Sequence, residues 1–416
     1  MRILYLNFDR GIPTLGDKGG SVHVRSVVTA MARLGHEVTV LSTRLGAGNA
    51  PPPGRMIELP IGVDTDMLQR EARTLGLDPE AALGPAVRRE LELLAHDRAL
   101  PARIAAVLRD APAPDLIYER HALFHRTGAA LARRLRVPRI LEVNSPLTEE
   151  AARHRGLVLR DLAAAREAAS WRAATLNVAV SQAMRHRLEA AGVTARQILV
   201  APNGVDTSAF AHDPVVAAMM RRKLGLGEVP LIGFVGSFKA WHGIDLLIDS
   251  FAALHRQRPG ARLLAVGEGP MQQAARERIA ALGLTDAVIF AGAVPHAAVP
   301  AYLASMDFTV APYAAQPGFY FSPLKVVESL AAGRPVVAPG IGQITALVDD
   351  GITGLLYPPD DHVGFLAAMH RLLSEPGLCG RLGQQASQHA HRVWNWTGIV
   401  ERILDDPALR PTEAAA

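Results

Sequence analysis

Residues 320–338, YFSPLKVVESLAAGRPVVA, run from a polar loop into a helical segment carrying Glu328, then Ala331-Ala332-Gly333, then an apolar β-branched strand. Gly333 stops the helix so that the strand can return to a sheet. The start of such a helix offers unpaired N–H groups and the positive end of the helix dipole, which attract phosphate. A carboxylate one or two turns further in accepts bonds from vicinal hydroxyls. A nucleoside diphosphate presents both groups at about that separation, so the stretch reads as a site for an anionic, hydroxyl-bearing ligand rather than as an ordinary amphipathic helix.

Outward from this stretch, short apolar runs bounded by turns alternate with longer helical patterns. The runs are RILYLN at 2–7, EVTVLS at 37–42, DLIYE at 115–119, RILEV at 139–143 and LNVAV at 176–180. The rhythm restarts after residue 196 with ILVA, LIGFVG at 231–236, RLLAVG at 262–267, AVIF at 287–290, FTVAP at 308–312 and PVVA at 335–338. Such alternation predicts parallel sheets with helices on both faces, hence an α/β protein of two doubly wound, Rossmann-like domains. The join is expected just after Val180-Ser181, giving domains over 1–181 and 182–388. Gly46 to Arg55, with three consecutive prolines, reads as a surface loop.

The 416 residues suit two domains, and 49% hydrophobic with 20% charged residues describes a well-cored chain. A single cysteine, Cys379, excludes an internal disulfide framework. With no basic leader before the first strand and no run near the ~18 apolar residues of a membrane span, a cytoplasmic protein is expected. The net charge of +4 is mild, and its arginines fall in amphipathic segments such as Leu131 to Arg139 and His154 to Arg166. These read as solvated helix faces, with peripheral contact at the inner face of a membrane as the further use of a basic surface. Aromatics at 5%, not interleaved with basic clusters, exclude nucleic acid as a partner.

Asn7-Phe8-Asp9 ends the first strand, and a loop with Gly11, Gly16, Lys18, Gly19 and Gly20 leads to a helix expected near Ser21. Open α/β sheets bind ligands at the carboxyl ends of their strands, which places this loop at a binding edge. The G-x-G-x-x-G spacing of dinucleotide sites and the P-loop are both absent, which removes NAD(P) oxidoreductases and P-loop hydrolases. Gly236-Ser237-Phe238-Lys239-Ala240-Trp241-His242-Gly243 repeats the strand-to-glycine-loop arrangement in the second half. The acidic pairs Asp349-Asp350 and Asp360-Asp361 lack the Asp-x-Asp spacing for a metal–diphosphate bridge, and no His/Cys zinc cluster occurs, so no metal and no cofactor are expected.

With these marks, together with Pro202-Asn203-Gly204-Val205-Asp206 and Gly267-x-Gly269-Pro270, the chain resembles the retaining nucleotide-sugar glycosyltransferases of the family 4 type over nearly its whole length. The resemblance implies the GT-B fold, two Rossmann-like domains facing an interdomain cleft, with a C-terminal helix at about 389–416 crossing back to the first domain. It implies that the Gly19-Gly20 turn and the loop from Gly236 approach the donor diphosphate, that Val294 lies where relatives clamp the base by main-chain bonds, and that Glu328 holds the ribose. Relatives carry arginine where Ser237 stands and lysine where His242 stands, and a first glutamate at the place of Tyr320. SPLK-x-x-E here replaces their E-x7-E, which marks a sub-branch. Lys239 and Lys325 are then the substitute phosphate cations, beside His242, with the backbone amides of Leu324 and Lys325 near the β-phosphate and Ser322 as a further donor-binding residue of the same loop. His121, with His125 as competitor, is placed to touch the transferred sugar or leaving group, while Glu119, Arg120, Glu142 and Asn144 are candidates for acceptor hydroxyls or domain support. The implied reaction moves a hexosyl-type group from a nucleoside diphosphate sugar to a hydroxyl of a sugar, lipid-linked or small-metabolite acceptor, retaining and metal-independent. The alternatives are a sugar-nucleotide epimerase of like architecture and a catalytically idle sugar-nucleotide-binding subunit.

Overall fold

The computed structural model describes residues 1–80, 84–315 and 318–410. It divides into two compact units, one of residues 1–202 with the segment from 399 onward, the other of residues 203–398. The first is built on a seven-stranded sheet of β1 (Arg2–Asn7), β2 (Glu37–Ser42), β3 (Arg55–Glu58), β4 (Leu116–Arg120), β5 (Arg139–Val143), β6 (Leu176–Ala179) and β7 (Ile198–Val200). Its strands are parallel, in the order β3-β2-β1-β4-β5-β6-β7. The second unit carries β8 (Leu231–Val235), β9 (Arg262–Val266), β10 (Val288–Gly292), β11 (Phe308–Val310), β12 (Val336–Pro339) and β13 (Gly354–Tyr357). These too are parallel, ordered β10-β9-β8-β11-β12-β13.

Helices cover both faces of each sheet, so the central strands are buried on both sides and read as continuous apolar runs rather than alternating ones. Ile3, Leu4, Tyr5 and Leu6 of β1 are all buried, and the ring of Tyr5 stacks on Tyr118 of β4 at 5.3 Å. In the second unit Phe234, Phe251, Phe308 and Phe365 fill one core layer, while Val326, Val327, Leu330 and Ala331 of the helix Leu324–Ala331 pack into another. Burial of each of those larger aliphatic side chains stabilises the fold by roughly 1.5–3 kcal/mol. The chain order reverses at β1/β4 in the first sheet and at β8/β11 in the second. Loops leaving those strands turn apart, which opens a crevice at the carboxyl edge of each sheet.

Glycine is required where the loops at that edge press on one another. Gly243 has φ +64°, and a Cβ there would meet the Pro312 carbonyl oxygen at 1.7 Å. Gly267 has φ +125°, and its Cβ would stand 2.1 Å from the Gly236 carbonyl oxygen. Gly243→Ala is therefore expected to destabilise the second unit by about 2–3 kcal/mol, from backbone strain and overpacking together. A chemical denaturation series that leaves the midpoint unchanged would contradict this packing.

The fold differs from expectation at four places. ILVA does not open the second domain: β7 pairs with β6 in the first sheet, so the boundary falls at residue 202 rather than 181. The returning C-terminal segment is shorter than 389–416, because the helix Leu378–Val393 packs Ala386 and Ala390 into the second unit's core and only the segment from 399 belongs to the first. The first helix begins at Gly19, not near Ser21. The short edge strands β3 and β13 were unrecognised because Arg55–Glu58 and Gly354–Tyr357 are too short to show a period.

Candidate functional site

In the second unit the site forms where the switch-point loops of β8 and β11 meet the helix Leu324–Ala331. The β8 loop folds back through the short turn Ala240–His242, and Gly236, at φ +141°, lets the backbone pass close to Lys325. A Cβ on residue 236 would lie 2.7 Å from the Lys325 ammonium. That ammonium is the central feature. Its Nζ is closed off from solvent with no hydrogen-bond partner, 4.5 Å from the ring centre of Phe234 and 5.1 Å from that of Tyr313. Burial pushes it down to about 7, with Glu328 opposing. A buried cation held by aromatic faces and no carboxylate is costly unless an anion completes the site.

His242 lines the same socket and is T-shaped to Tyr313 at 5.2 Å. Its Nδ1 is bonded to the Ser237 carbonyl oxygen, so Nδ1–H donates and Nε2 carries the lone pair. Burial, then the charge of Lys325, hold it down at about 3. His242 is thus neutral in the ligand-free chain. Lys239 is exposed, with Nζ over the Trp241 ring at 4.7 Å, on the outer side of the loop. Ser237 contributes backbone only to these contacts. Ser322 joins the next loop to the Pro-Asn-Gly turn: its Oγ accepts from Asn203 N–H at 2.8 Å, and its carbonyl oxygen accepts from Asn203 Nδ2 at 2.6 Å. Leu324 and Lys325 open the helix behind Pro323, where first-turn N–H groups have no intrahelical acceptor. Tyr320 packs on Phe321 with ring centres 4.4 Å apart.

Glu328 is buried one turn into the helix, and its Oε1 meets His296 Nε2 at 2.7 Å. His296 follows β10 in the loop that starts after Gly292 and holds the half-buried Val294. Sequence reasoning missed His296, although its position just past the carboxyl end of a strand is the signal that would have found it. The bond orients the carboxylate through Oε1 and does not engage Oε2. Glu328→Ala is expected to weaken nucleotide binding more than tenfold without unfolding the chain; unchanged affinity in a folded variant, read by calorimetry, would remove the residue from the site.

In the first unit Asn7 organises the β1 loop, donating from Nδ2 to the Ile12 carbonyl oxygen at 2.9 Å and to Thr14 Oγ1 at 3.2 Å. Gly20 admits Ile12, whose Cδ1 would come within 2.7 Å of a Cβ there, and Gly19 starts the helix on the exposed side. Lys18 donates to the Gly11 carbonyl oxygen at 3.0 Å, closing the loop on itself. At the carboxyl ends of β4 and β5 lies a buried hub, Glu142. Its oxygens meet His23 Nε2 at 2.8 Å, Tyr118 OH at 3.0 Å, Arg120 Nη1 at 2.8 Å, and Asn144 Nδ2. Burial alone would raise this carboxyl; His23, then Arg120 and Asn144, outweigh it and hold it at about 2. Glu142, Arg120 and Asn144 thus form one network.

Glu119 does not join them. It is 2% exposed and pairs with the equally buried Arg139 at 2.8 Å, a structural role on the other side of β4. His121 is buried against Trp171, its Nδ1 3.8 Å from Glu167, and burial followed by Arg139 pushes it down to about 3. The histidine that lines the edge pocket, with Phe8, Asp9, Ala122 and Leu147, is His125. Among the described residues no group of three or more His, Cys, Asp or Glu side chains is arranged to hold a metal ion, and no helix is long and apolar enough to cross a membrane.

Residues 18–209 match the family described as Glycosyltransferase Family 4, and residues 229–375 that described as Glycosyl transferases group 1. The chain is 31% identical over 415 residues to the D-inositol 3-phosphate glycosyltransferase of Acidothermus cellulolyticus, covering 94% of this chain and 86% of that protein. A shorter match of 229 residues, also 31% identical, links 54% of the chain to 60% of the GDP-mannose-dependent alpha-(1-6)-phosphatidylinositol monomannoside mannosyltransferase of Mycolicibacterium smegmatis. Among solved structures, Anabaena HepE in complex with UDP and glucose superposes with a TM-score of 0.69 at 19% identity, over 97% of this chain and 98% of that one. At that identity the likeness speaks for the fold alone.

Proposed function

Because the chain belongs to glycosyltransferase family 4 and has the GT-B fold, we propose that it moves a hexosyl-type group from a nucleoside diphosphate sugar to an acceptor hydroxyl, with retention and without a metal ion. The observation that carries this reading is the enclosed, unpartnered Lys325 ammonium beside the Gly236 loop and the first turn of the helix Leu324–Ala331. Together these are preorganised donors aimed at a diphosphate, where negative charge grows as the sugar leaves. Glu328, oriented by His296, takes the ribose hydroxyls. The bond from the anomeric carbon to the diphosphate breaks, the acceptor oxygen bonds to that carbon on the same face, and the departing phosphate oxygen takes the acceptor's proton. No protein base is needed. The first unit's carboxyl edge, ordered by Glu142 and lined by His125, receives the acceptor. Relatives named for an inositol phosphate and for a phosphatidylinositol mannoside favour a polyol, whether free or lipid-linked. The setting proposed is the cytoplasm, with peripheral membrane contact, which cell fractionation tests.

The deciding experiment is calorimetry of the full chain against UDP, GDP, ADP and dTDP, each with Mg²⁺ and with EDTA. Binding of one diphosphate, equal in both conditions, is the expected result and names the base. No binding to any of the four sinks the donor assignment, and binding only with Mg²⁺ sinks metal independence. Binding with no turnover over a broad acceptor panel would favour the idle-subunit alternative, which the departures at Ser237, His242 and Tyr320 make concrete.

A further inference from the structure

The helix layer of the first unit holds a second concave site that the proposed reaction does not use. It runs along the helix Thr127–Leu135, against the helices Pro85–Val107 and Arg160–Arg172. Six arginines line it: Arg98, Arg126, Arg133, Arg136, Arg139 and Arg166. Among the described lining residues the one carboxylate is Asp97, and it is already spent. Its Oδ1 accepts from the N–H groups of Arg126 and Thr127 at 2.9 Å and from Thr127 Oγ1 at 2.7 Å, and its Oδ2 from Arg166 at 3.2 Å. Outside the lining, Glu71 holds Arg98 and Glu119 holds Arg139. Six guanidinium groups against these three carboxylates leave three positive charges unmatched.

Exposed arginines on a helix are ordinarily just solvated. Two observations separate this group from that case. Arg126, Arg133 and Arg136 have no side-chain hydrogen bond or ion pair among the described residues, yet they line one concavity. Arg139 at its floor is 1% exposed; its Nη2 is used by the Ser170 carbonyl oxygen and Oγ at 3.1 and 2.8 Å, but its Nη1 is enclosed without an acceptor. An enclosed guanidinium donor left unmet is costly and is met by an anionic oxygen in a fork geometry that suits phosphate. The floor residues Arg139 and Thr175 stand at the amino ends of β5 and β6, the opposite end of these strands from Asn144 and the Glu142 hub.

We propose that this pocket binds a small phosphorylated solute, with Arg126, Arg133 and Arg136 holding its phosphate oxygens over Arg139. The site is independent of the donor reading. Pyrophosphate is the probe, titrated into the full chain carrying Lys325→Met, so that the second unit's cation no longer contributes. One pyrophosphate site is expected to remain in that protein. Adding Arg126→Gln, Arg133→Gln and Arg136→Gln together should weaken it at least tenfold. Ala130→Glu, which sets a carboxylate among the same arginines, should do likewise if the triple variant fails to fold. No remaining site in the Lys325→Met protein, or unchanged affinity in folded variants of both kinds, overturns the proposal. Co-sedimentation with vesicles containing phosphatidic acid separates the sources of the phosphate: absence of capture, or capture displaced by pyrophosphate, supports a solute site, whereas capture that excess pyrophosphate does not displace overturns it in favour of a lipid headgroup.

Discussion

Lys325→Met should weaken binding of the donor diphosphate by about 10–100-fold while raising the thermal midpoint of the ligand-free protein. The first effect is the loss of a charge-assisted contact worth about 1.5–3 kcal/mol. The second follows from the same burial: an ammonium between Phe234 and Tyr313 without a hydrogen-bond partner is a cost that a methionine of similar length does not carry. The sign with pH is fixed by the depressed value. Lys325 titrates at about 7 in the folded chain against 10.5 ordinarily, so between those values the unfolded chain holds a proton that the folded one has released, and stability rises with pH through that window. The stabilisation by methionine should accordingly be largest below pH 7. Donor binding runs the other way: above pH 7 the diphosphate must bring a proton to Lys325, and affinity should fall by up to about tenfold per pH unit as it does so. Calorimetry in buffers of differing ionisation enthalpy reads that proton directly; pH-independent affinity between 7 and 8.5 would show that Lys325 does not meet the phosphate.

Glu142→Ala is the second large effect, and it falls on the first unit. Removing the carboxylate strands Arg120 and His23 in a site where Glu142 itself is 1% exposed. Breaking a buried pair by deleting one partner costs about 3–5 kcal/mol, which corresponds to roughly 10 °C in midpoint for a unit of this size. Glu142→Gln, which keeps the shape and one acceptor oxygen for Arg120 and Asn144 while its amide NH2 replaces the oxygen that faced Tyr118 and His23, should cost less than the alanine variant. Because Glu142 is held at about 2 against an ordinary 4.5, its contribution is complete above 4.5 and is lost as pH falls toward 2. The wild-type first unit should therefore lose stability over that acid range more steeply than the Gln variant. Equal acid profiles would place the lost stability elsewhere.

The parallel architecture was legible because burial on both faces makes β1, β5, β8 and β9 continuous apolar runs, a signal that survives without long-range information. The domain boundary was not, since Ile198–Val200 belongs to whichever sheet has a neighbour for it, and that pairing with β6 is decided in three dimensions. The site divided in the same way. Lys325 and Glu328 were readable from a helix start and a spacing of three. Glu119 was misplaced among the edge residues because the alternation of a strand says which residues share a face but not what waits there, and Arg139, 20 positions later, claimed it. His23 gave no local signal, because it acts only through a carboxylate that is distant in the chain, and His296 was marked by no more than its place just past the carboxyl end of β10.

In the proposed donor site the phosphate cation comes from the helix after the β11 loop rather than from the loop after β8, and the Lys325 ammonium fills the space that Gly236 leaves open. The two supply routes are therefore mutually exclusive. Placing an arginine at Ser237 or a lysine at His242 while Lys325 remains would crowd like charges around an aromatic socket where Glu328, the carboxylate that acts on Lys325, is already bonded to His296, whereas removing Lys325 alone would leave the socket without its buried cation and binding weakened.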